Sequence, residues 1–286
     1  MEELTPKKSI FKTILIVFFF FAVFLYFINF NSGNNRDVVI HISSGQKLND
    51  IVLKLEQEEI IKSSALLQSL VIFFNDDKQV PKGDYFFREG IGVFETAWML
   101  ANGEHRVNPI KITFPEGFNN EDIARVLSNK LDDFDNTEFI SKANQGYMFP
   151  DTYFFFPLIT IDEIIKDLSF NFERKTKNLN INEDVIIMAS LIEGEAKGEE
   201  DAYIISGILW KRIEKGIALQ VDVDRWTYKN KGLPENPISN PGLNSIKAAL
   251  NPKESNYLYY IHDKEGQIHY AKTYNGHKVN INKYLK

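Results

Sequence analysis

Residues 185–192 form the most constraining stretch of this sequence, because every residue in it except Ser190 is apolar and an acid, Glu193, ends it. A helix that is apolar on all its faces must be enclosed by the rest of the fold. Asn182 precedes the stretch as a helix N-cap, and two acids follow it in the first turn, where they suit the helix dipole. The chain must therefore wrap other elements around this helix, and the carboxyl group at its end is a candidate functional group.

A carboxyl group at the end of an enclosed helix has two interpretations. Burial favours the neutral form of a carboxyl group, and one that holds its proton near neutral pH can protonate a leaving oxygen, as glycosidic cleavage requires. Glu193 is therefore a candidate general acid. The alternative is a solvated glutamate that pairs with Lys197 one turn later. Glu195 has Glu199 one turn on and is expected on a solvated face.

The N-terminal region predicts a membrane anchor. Residues 14–28 are all apolar and the segment extends over 13–30, close to the length of about 20 residues that a membrane span needs. No small-residue cleavage site follows, as a signal peptide would require. Lysines precede the segment and no basic residue follows it until Arg36, so residues 1–12 are expected in the cytoplasm. We expect a single-pass protein of the cell membrane, with 31–37 as a linker and the remainder outside.

Composition excludes several classes of function. The 286 residues include no cysteine, which rules out disulfides, thiolate chemistry and cysteine-bound zinc. A net charge of −6 gives no basic footprint for nucleic acid. The five histidines show no metal-binding spacing, and the sequence contains no phosphate loop or dinucleotide fingerprint. We therefore expect no metal, no cofactor and no nucleic-acid partner.

Strand and helix patterns predict an α+β fold behind the anchor. Strand-like segments at 37–43 and 108–117 each lead through a glycine into an amphipathic helix, predicted over 48–61 and 120–131. The glycine lies at the same distance before an Asp-Ile pair in both units. This spacing favours an internal structural repeat, although caps and glycine turns are common enough for chance to remain the alternative.

The segment between the two units predicts a short hairpin-like piece and then a helix over 93–101, which an Asn-Gly pair ends. Residues 38–108 thus form a small β/α module, and it resembles the LysM-like modules that bind glycan chains. Farther along, the sequence predicts a helix over 200–215, a hairpin that turns at 263–266 and a closing helix.

Residues 147–157 are rich in aromatic side chains and flanked by prolines. One interpretation is a loop that crosses the core. The other is a sugar-stacking wall made by Tyr147, Phe149 and Tyr153 beside Asp151.

Several long motifs in the same order resemble one known family, the endolytic murein transglycosylases, also called the YceG-like family. The segments that carry the resemblance are "TFPEGFNNEDIARVL", "FPDTYFF", "ASLIEGEA", "GILWKRIEKGIALQVD" and "TYKNKGLPENPISNPGLNSIKAALNPKESNYLYYI". The N-terminal anchor and the module behind it also fit, so the resemblance covers nearly the whole chain. It implies a transmembrane helix, the LysM-like module and a YceG-like mixed α+β catalytic domain over 109–286.

The resemblance also implies an activity. The family cleaves peptidoglycan glycan strands internally, between N-acetylmuramic acid and N-acetylglucosamine, without hydrolysis, and leaves 1,6-anhydromuramoyl ends. Family members terminate nascent strands beside the synthesis machinery, so glycan strands, membrane lipid and peptidoglycan synthases are the implied partners. The catalytic acid is the first glutamate of the family pattern S-I-V-E-x-E, which this sequence matches at Glu193.

The implied substrate-binding residues follow from the same motifs. They are Gln220, Asp222, Thr227, Tyr228 and Asn240, with Tyr153 added from the aromatic segment.

Three departures from the family pattern concern the cleft. The family carries a loop of some twenty residues before its Y-N-T-Y turn, and here Asp224 runs directly into Arg225. Trp226 stands where the family has asparagine, and Gly194 stands where it has a larger helix residue, at a cost of up to about 1 kcal/mol in helix propensity. These changes predict a more open cleft.

Two other functions stay open at this stage. The missing loop suits a membrane-tethered glycan-binding or scaffold protein without activity. A hydrolase that uses Glu193 and Asp222 together is the second alternative, because glycosidases usually carry two carboxylates.

Overall fold

The computed structural model describes residue 11 and residues 13–19, 34–75 and 79–286. The predicted cytoplasmic tail, except for residue 11, and most of the predicted membrane span lie outside these residues. Residues 13–19 are helical, and the apolar side chains among them are exposed. Among the described residues, no helix is both long enough and apolar enough to span a membrane.

The chain divides into two compact units. One contains residues up to Pro109 together with Phe156–Ile159, and the other contains Ile110–Phe155 and Thr160–Lys286. Within the described ranges, helices accompany three two-stranded antiparallel sheets. The predicted α+β class is confirmed.

The first unit packs three helices and one sheet around a single apolar core. Its elements are β1 (Val38–Ile42), α1 (Leu48–Gln57), α2 (Ser64–Phe74), β2 (Gly83–Phe87) and α3 (Val93–Asn102). β2 pairs with β1, with Tyr85 opposite Ile40, so the prediction of a local hairpin in this segment is wrong. α1 also ends earlier than predicted, and Glu59 follows it with a positive φ of 60°.

The second unit contains the apolar helix predicted around residues 185–192. Its elements are β3 (Ile110–Thr113), α4 (Asn120–Ser128), α5 (Asn136–Lys142), β4 (Thr152–Phe155), α6 (Ile161–Thr176), α7 (Glu183–Glu195), α8 (Glu199–Glu214), α9 (Trp226–Lys229), α10 (Leu243–Leu250), β5 (Tyr259–His262), β6 (Ile268–Ala271) and α11 (Tyr274–Tyr284). The predicted helix over 200–215, the hairpin and the closing helix are confirmed as α8, β5–β6 and α11.

The predicted internal repeat is present in the structure. β1-α1-α2-β2 and β3-α4-α5-β4 have the same order, and in each the last strand pairs antiparallel with the first. Gly45 and Gly117, with φ of 78° and 81°, each lie three residues before the first helix. Tyr85 and Tyr153 each donate a hydroxyl hydrogen bond to a backbone oxygen four residues earlier. We call these segments the first and second copy.

Helix α7 forms the centre of the second unit. All eight residues of 185–192 are buried, which confirms the prediction of an enclosed helix. The side chain of Asn182 caps it by accepting from the N–H of Val185, at 3.0 Å. The core around α7 draws on α8, α10 and the segment 219–221, so the C-terminal end of α7 is fixed from several directions.

Candidate functional site

Glu193 lies at the last turn of α7 and is partly buried. Its Oε2 accepts a hydrogen bond from the backbone N–H of Gly242, at 2.8 Å. Among the described residues its carboxylate makes no ion pair, so the alternative of a solvated pair with Lys197 is wrong. The second carboxylate oxygen has no partner within the described part of the chain and is available to a ligand.

Two backbone segments meet beside Glu193. One is the turn 115–118 that precedes α4, in which Gly117 has positive φ. The other is the loop 240–242 that precedes α10. The N–H of Gly117 donates to the carbonyl of Asn240 at 3.2 Å, and the N–H of Asn240 donates to the carbonyl of Phe118 at 2.8 Å. A Cβ on Gly117 would lie 3.6 Å from Cγ of Glu193, so the turn passes beside the side chain of the acid.

Asn240, a predicted substrate-binding residue, is only 1% exposed and its side chain is fully used. Its Oδ1 accepts from the N–H groups of Gly146 (2.7 Å) and Met148 (3.0 Å). Its Nδ2 donates to the carbonyl of Phe118 at 3.0 Å and to Oδ1 of Asn120 at 3.1 Å. A side-chain amide offers two donors and two acceptor positions. Asn240 therefore has nothing left for a substrate and holds the turn against the loop.

Glu116 is a second carboxyl group at this place, and the sequence argument missed it. Its side chain fills the space where a Cβ on Gly242 would stand, which would lie 2.8 Å from Cγ of Glu116 and overlap its carboxyl group. Partial burial and the charge of Glu193 raise the pKa of Glu116. Glu193 and Glu116 thus approach the same glycine, one through its N–H and the other through its Cα.

Glu195 is not on a solvated face, so that prediction is wrong. Its carboxylate accepts from the N–H of Asp222 at 2.7 Å and from the hydroxyl of Tyr260 at 3.0 Å. Burial raises the pKa of Glu195, and these hydrogen bonds offset part of that effect. Because Glu193 and Glu195 are two residues apart on a helix, their side chains point in different directions.

The side chain of Glu195 lines a polar cavity of about 250 Å³. Three of the predicted substrate-binding residues line the same cavity: Gln220, Asp222 and Tyr228. The hydroxyl of Tyr228 donates to Asp222, which raises the pKa of Tyr228 to about 12. Gln220 has a positive φ of 50°, a conformation in which a residue other than glycine is strained. The side chains of Gln220, Asp222 and Tyr228 thus line the same cavity as Glu195.

Thr227 and Tyr153 are placed differently from the prediction. Thr227 is fully buried, and its hydroxyl bonds the backbone of Val221 and Asp224, so it closes the loop rather than facing a cleft. Tyr153 belongs to β4, where its hydroxyl bonds the carbonyl of Phe149 at 2.7 Å and the amide of Asn171 at 2.9 Å. For the aromatic segment, the structure supports the core interpretation rather than the sugar-stacking wall.

Gly194 separates the two acids and has a steric reason to be glycine. A Cβ at this position would lie 2.5 Å from Cγ1 of Val223, in the loop that the sequence analysis found to be short. The short loop therefore lies directly on the end of α7, and the helix accommodates it by having no side chain there. The predicted cost in helix propensity is compensated by this close packing.

Arg212 supplies a buried positive charge to the cavity. It is 4% exposed, its Nε donates to the carbonyl of Leu258 at 2.8 Å, and its guanidinium lies over the ring of Tyr259.

Over the ranges that the structure describes, no three His, Asp or Glu side chains are grouped so as to hold a metal ion. Glu116, which sequence reasoning missed, lies between a proline and a glycine in the segment TFPEGFNNEDIARVL, and this position was the signal that could have found it.

Comparison with known proteins gives relatives over most of the chain. An endolytic murein transglycosylase of Bacillus subtilis (strain 168) is 27% identical over 308 residues, which cover 87% of this chain and 85% of the relative. One of Streptococcus pneumoniae (strain ATCC BAA-255 / R6) is 24% identical over 88% of this chain, and this chain spans 59% of that relative.

The fold comparison agrees with these relatives. A crystal structure of a yceG-like protein from Listeria monocytogenes matches with a TM-score of 0.52 at 23% identity, over 86% of this chain and 99% of the other. The model of the YceG-like family matches residues 40–224 and 226–283, with its interruption at the short loop. The chain therefore belongs to the YceG-like family.

Proposed function

We propose that this protein is an endolytic peptidoglycan transglycosylase that cleaves the glycan strand between N-acetylmuramic acid and N-acetylglucosamine. One observation carries the proposal. A glutamate at the end of an enclosed helix has one carboxylate oxygen bound to a backbone N–H and the other free, in a chain of the YceG-like family. The relatives in Bacillus subtilis and Streptococcus pneumoniae bear the name of this activity.

The chemistry requires one group that first gives a proton and then takes one. Glu193 protonates the glycosidic oxygen as the bond to the anomeric carbon breaks. The 6-hydroxyl of the same muramoyl sugar then bonds to that carbon and gives its proton to Glu193. The product has a 1,6-anhydro end, no water is consumed, and Glu193 returns to its starting state. The N–H of Gly242 fixes the carboxylate and stabilises the charge that it carries between the two steps.

Membrane anchoring is part of the proposal. The apolar segment 13–30 and the lysines before it support a single-pass protein of the cell membrane whose two units lie outside the cytoplasm. An anchored enzyme of this kind would act on nascent strands beside peptidoglycan synthases and terminate them. For residues 38–108 we propose a glycan-binding role, supported by the resemblance to LysM-like modules.

Hydrolysis is the second candidate, and Glu116 favours it. A two-carboxylate hydrolase needs a second acid near the first. Asp222 makes its contacts with Tyr228 and Glu195, whereas Glu116 is the acid whose pKa is raised by the charge of Glu193, after the effect of its own burial. If water attacks instead of the 6-hydroxyl, each new reducing end contains an added water.

Mass spectrometry of the products tests the proposal. Purified glycan strands are incubated with the wild-type protein, with Glu193→Gln and with Glu254→Gln, which changes an exposed glutamate outside the site. We expect anhydro ends, one water lighter than hydrolytic ends, from the wild type and the control, and none from Glu193→Gln. Hydrolytic ends would establish the second candidate. Binding of glycan strands without any product would support the alternative of a membrane-tethered glycan-binding protein without activity.

A further inference from the structure

We infer that the polar cavity beside Glu195 binds the peptide stem of the muramoyl sugar, with a carboxylate on Arg212 and an amine on Glu195 and Asp222. The inference rests on the proposed function, which supplies the source of the peptide. The cavity has a volume of about 250 Å³, and every residue that lines it belongs to the second unit. It would hold a part of the substrate other than the bond that Glu193 cleaves.

The first support is the buried guanidinium of Arg212. It is 4% exposed and forms no ion pair with any residue that the structure describes. Its Nε donates to the carbonyl of Leu258 and its Nη1 to that of Leu219, so within the described ranges Nη2 has no hydrogen-bond partner. A buried charge ordinarily has a counter-charge beside it. An unpaired guanidinium at a cavity can bind an acceptor, and a carboxylate fits its planar geometry best.

The second support is unused acceptor capacity on two acids of the cavity. Glu195 accepts from the N–H of Asp222 and the hydroxyl of Tyr260. Asp222 accepts from the hydroxyl of Tyr228. A carboxylate has about four acceptor positions, so both acids can take a further donor. Asp222 is exposed, and an amine can therefore reach it from solvent.

Two histidines at the cavity add further polar atoms without a partner. Nε2 of His262 and Nδ1 of His277 are buried and make no hydrogen bond within the described part of the chain. Buried polar atoms of this kind are few in native structures, because each one costs free energy. The cavity thus contains more polar groups than its own residues can pair, which is typical of a ligand site rather than of a packed core.

The charges of the cavity select the class of ligand. A neutral sugar would leave Arg212 without a counter-charge, and a phosphate would be repelled by the two acids. A simple cation would be repelled by the guanidinium. A ligand that carries both a carboxylate and an amine fits all three groups. The peptide stem of peptidoglycan has this character, because it ends in a carboxylate and its diamino residue carries an amine.

The position of the cavity is within reach of a stem on the reacting sugar. Glu193 and Glu195 belong to the same last turn of α7 and are separated by about 3 Å along the helix axis. An extended peptide spans about 3.5 Å per residue. A stem of several residues on a muramoyl sugar at Glu193 is therefore long enough to pass around the end of the helix and enter the cavity.

Isothermal titration calorimetry of the whole chain in detergent tests the inference without cleavage. The probe is an N-acetylmuramoyl pentapeptide with lysine as its diamino residue, which has no glycosidic bond to cut. Two analogues have either the lysine amine acetylated or the carboxylates amidated. We expect the wild type to bind each analogue about tenfold more weakly than the unmodified probe. Equal binding of all three probes, or no binding at about 1 mM probe, would overturn the inference.

Two variants assign the charges. Arg212→Gln should remove the preference for free carboxylates, and Asp222→Asn should reduce the preference for the free amine. Circular dichroism checks the fold of Arg212→Gln, since Arg212 also binds two carbonyls, and Asp222→Asn carries the test if that variant unfolds. Glu254→Gln, at an exposed position outside the cavity, should bind the probes as the wild type does. Variants that fold and weaken all three probes equally would contradict the assigned contacts.

Glycan strands keep this inference separate from the proposed function. Strands that carry their stems are compared with strands from which an amidase has removed them. We expect a lower KM for the stem-bearing strands, and a ratio closer to one in Asp222→Asn. Cleavage without probe binding would overturn the inference and leave the proposed function in place. Probe binding without cleavage of either kind of strand would overturn the proposed function and leave the peptide site.

Discussion

The two copies of the β-α-α-β segment use the same local construction and differ in what lies against their turns. In the first copy, no described heavy atom beyond the adjacent residues lies within 4 Å of where a Cβ on Gly45 would be. In the second, a Cβ on the equivalent Gly117 would lie 3.6 Å from Cγ of Glu193, and the residue before Gly117 is Glu116, where the first copy has Ser44. The comparison teaches that local sequence forms the same scaffold twice, whereas contacts from distant segments place only the second copy beside the candidate site.

The largest expected effect comes from separating the second copy from the loop 240–242. Asn240→Ala removes four hydrogen bonds and leaves the N–H groups of Gly146 and Met148 without their partner. We expect the free energy of unfolding, measured with urea, to fall by about 4 kcal/mol. Asn129→Ala, which removes an exposed amide at the end of α4, is the control and should cost less than about 1 kcal/mol. Equal losses would contradict the role of Asn240.

The next largest effect is expected from a side chain on Gly242, the glycine that both Glu193 and Glu116 approach. In Gly242→Ala the new Cβ collides with the carboxyl group of Glu116 and displaces it from beside Glu193. We expect kcat/KM on glycan strands to fall about 100-fold, which corresponds to about 2.7 kcal/mol of transition-state stabilisation. Gly276→Ala in α11 is the control, because the nearest atoms would lie 3.5 Å away. Full activity of Gly242→Ala would show that the position of Glu116 is irrelevant.

The matched glycines of the two copies give the most direct comparison. Gly45→Ala and Gly117→Ala both place a side chain at positive φ, so each should cost about 1 kcal/mol of stability. Only Gly117→Ala introduces this backbone strain beside Glu193, where the new Cβ would make an ordinary contact with Cγ at 3.6 Å, and we expect it alone to lower kcat/KM, by about tenfold. Thermal unfolding measures the loss of stability in each variant, and steady-state kinetics measures the loss of kcat/KM. A similar kinetic loss in Gly45→Ala would remove the distinction between the copies.

The smallest effect concerns the matched tyrosines. Within the described part of the chain, the hydroxyl of Tyr85 makes one hydrogen bond, to the carbonyl of Pro81 at 2.8 Å, whereas the hydroxyl of Tyr153 makes hydrogen bonds with both Phe149 and Asn171. At about 1 kcal/mol for each hydrogen bond, Tyr153→Phe should cost about 1 kcal/mol more than Tyr85→Phe. Urea unfolding of the two variants measures the difference. A larger cost for Tyr85→Phe would mean that burial outweighs the hydrogen-bond difference.

The parts of this fold that sequence predicted are those with local causes. The enclosed helix α7 follows from its composition and its Asn182 cap, and the glycine turns, α8 and the final hairpin follow from residues within a few positions of each other. The proposed catalytic role of Glu193 rests on the enclosed helix that it ends and on its match to the family pattern.

The parts that sequence did not predict depend on distant partners. β4 forms because β3, about forty residues earlier, pairs with it. Glu195 is enclosed because Tyr260, 65 residues later, bonds to it. Glu116 lies beside Glu193 because both meet Gly242, which no local pattern indicates. The helix α2 was missed because its run of apolar residues shows little amphipathic periodicity.

The bond from Gly242 to Glu193 spans 49 residues, and the bond from Asn240 to Phe118 spans 122. During synthesis, the ribosome releases Glu193 well before it releases the loop that orients this carboxylate. A truncated product that stops before residue 240 therefore carries the acid without the donor and without the anchor of the turn. Fragments that end before residue 240 are expected to be inactive, because they lack the loop that binds the carboxylate of Glu193 and the turn at Phe118.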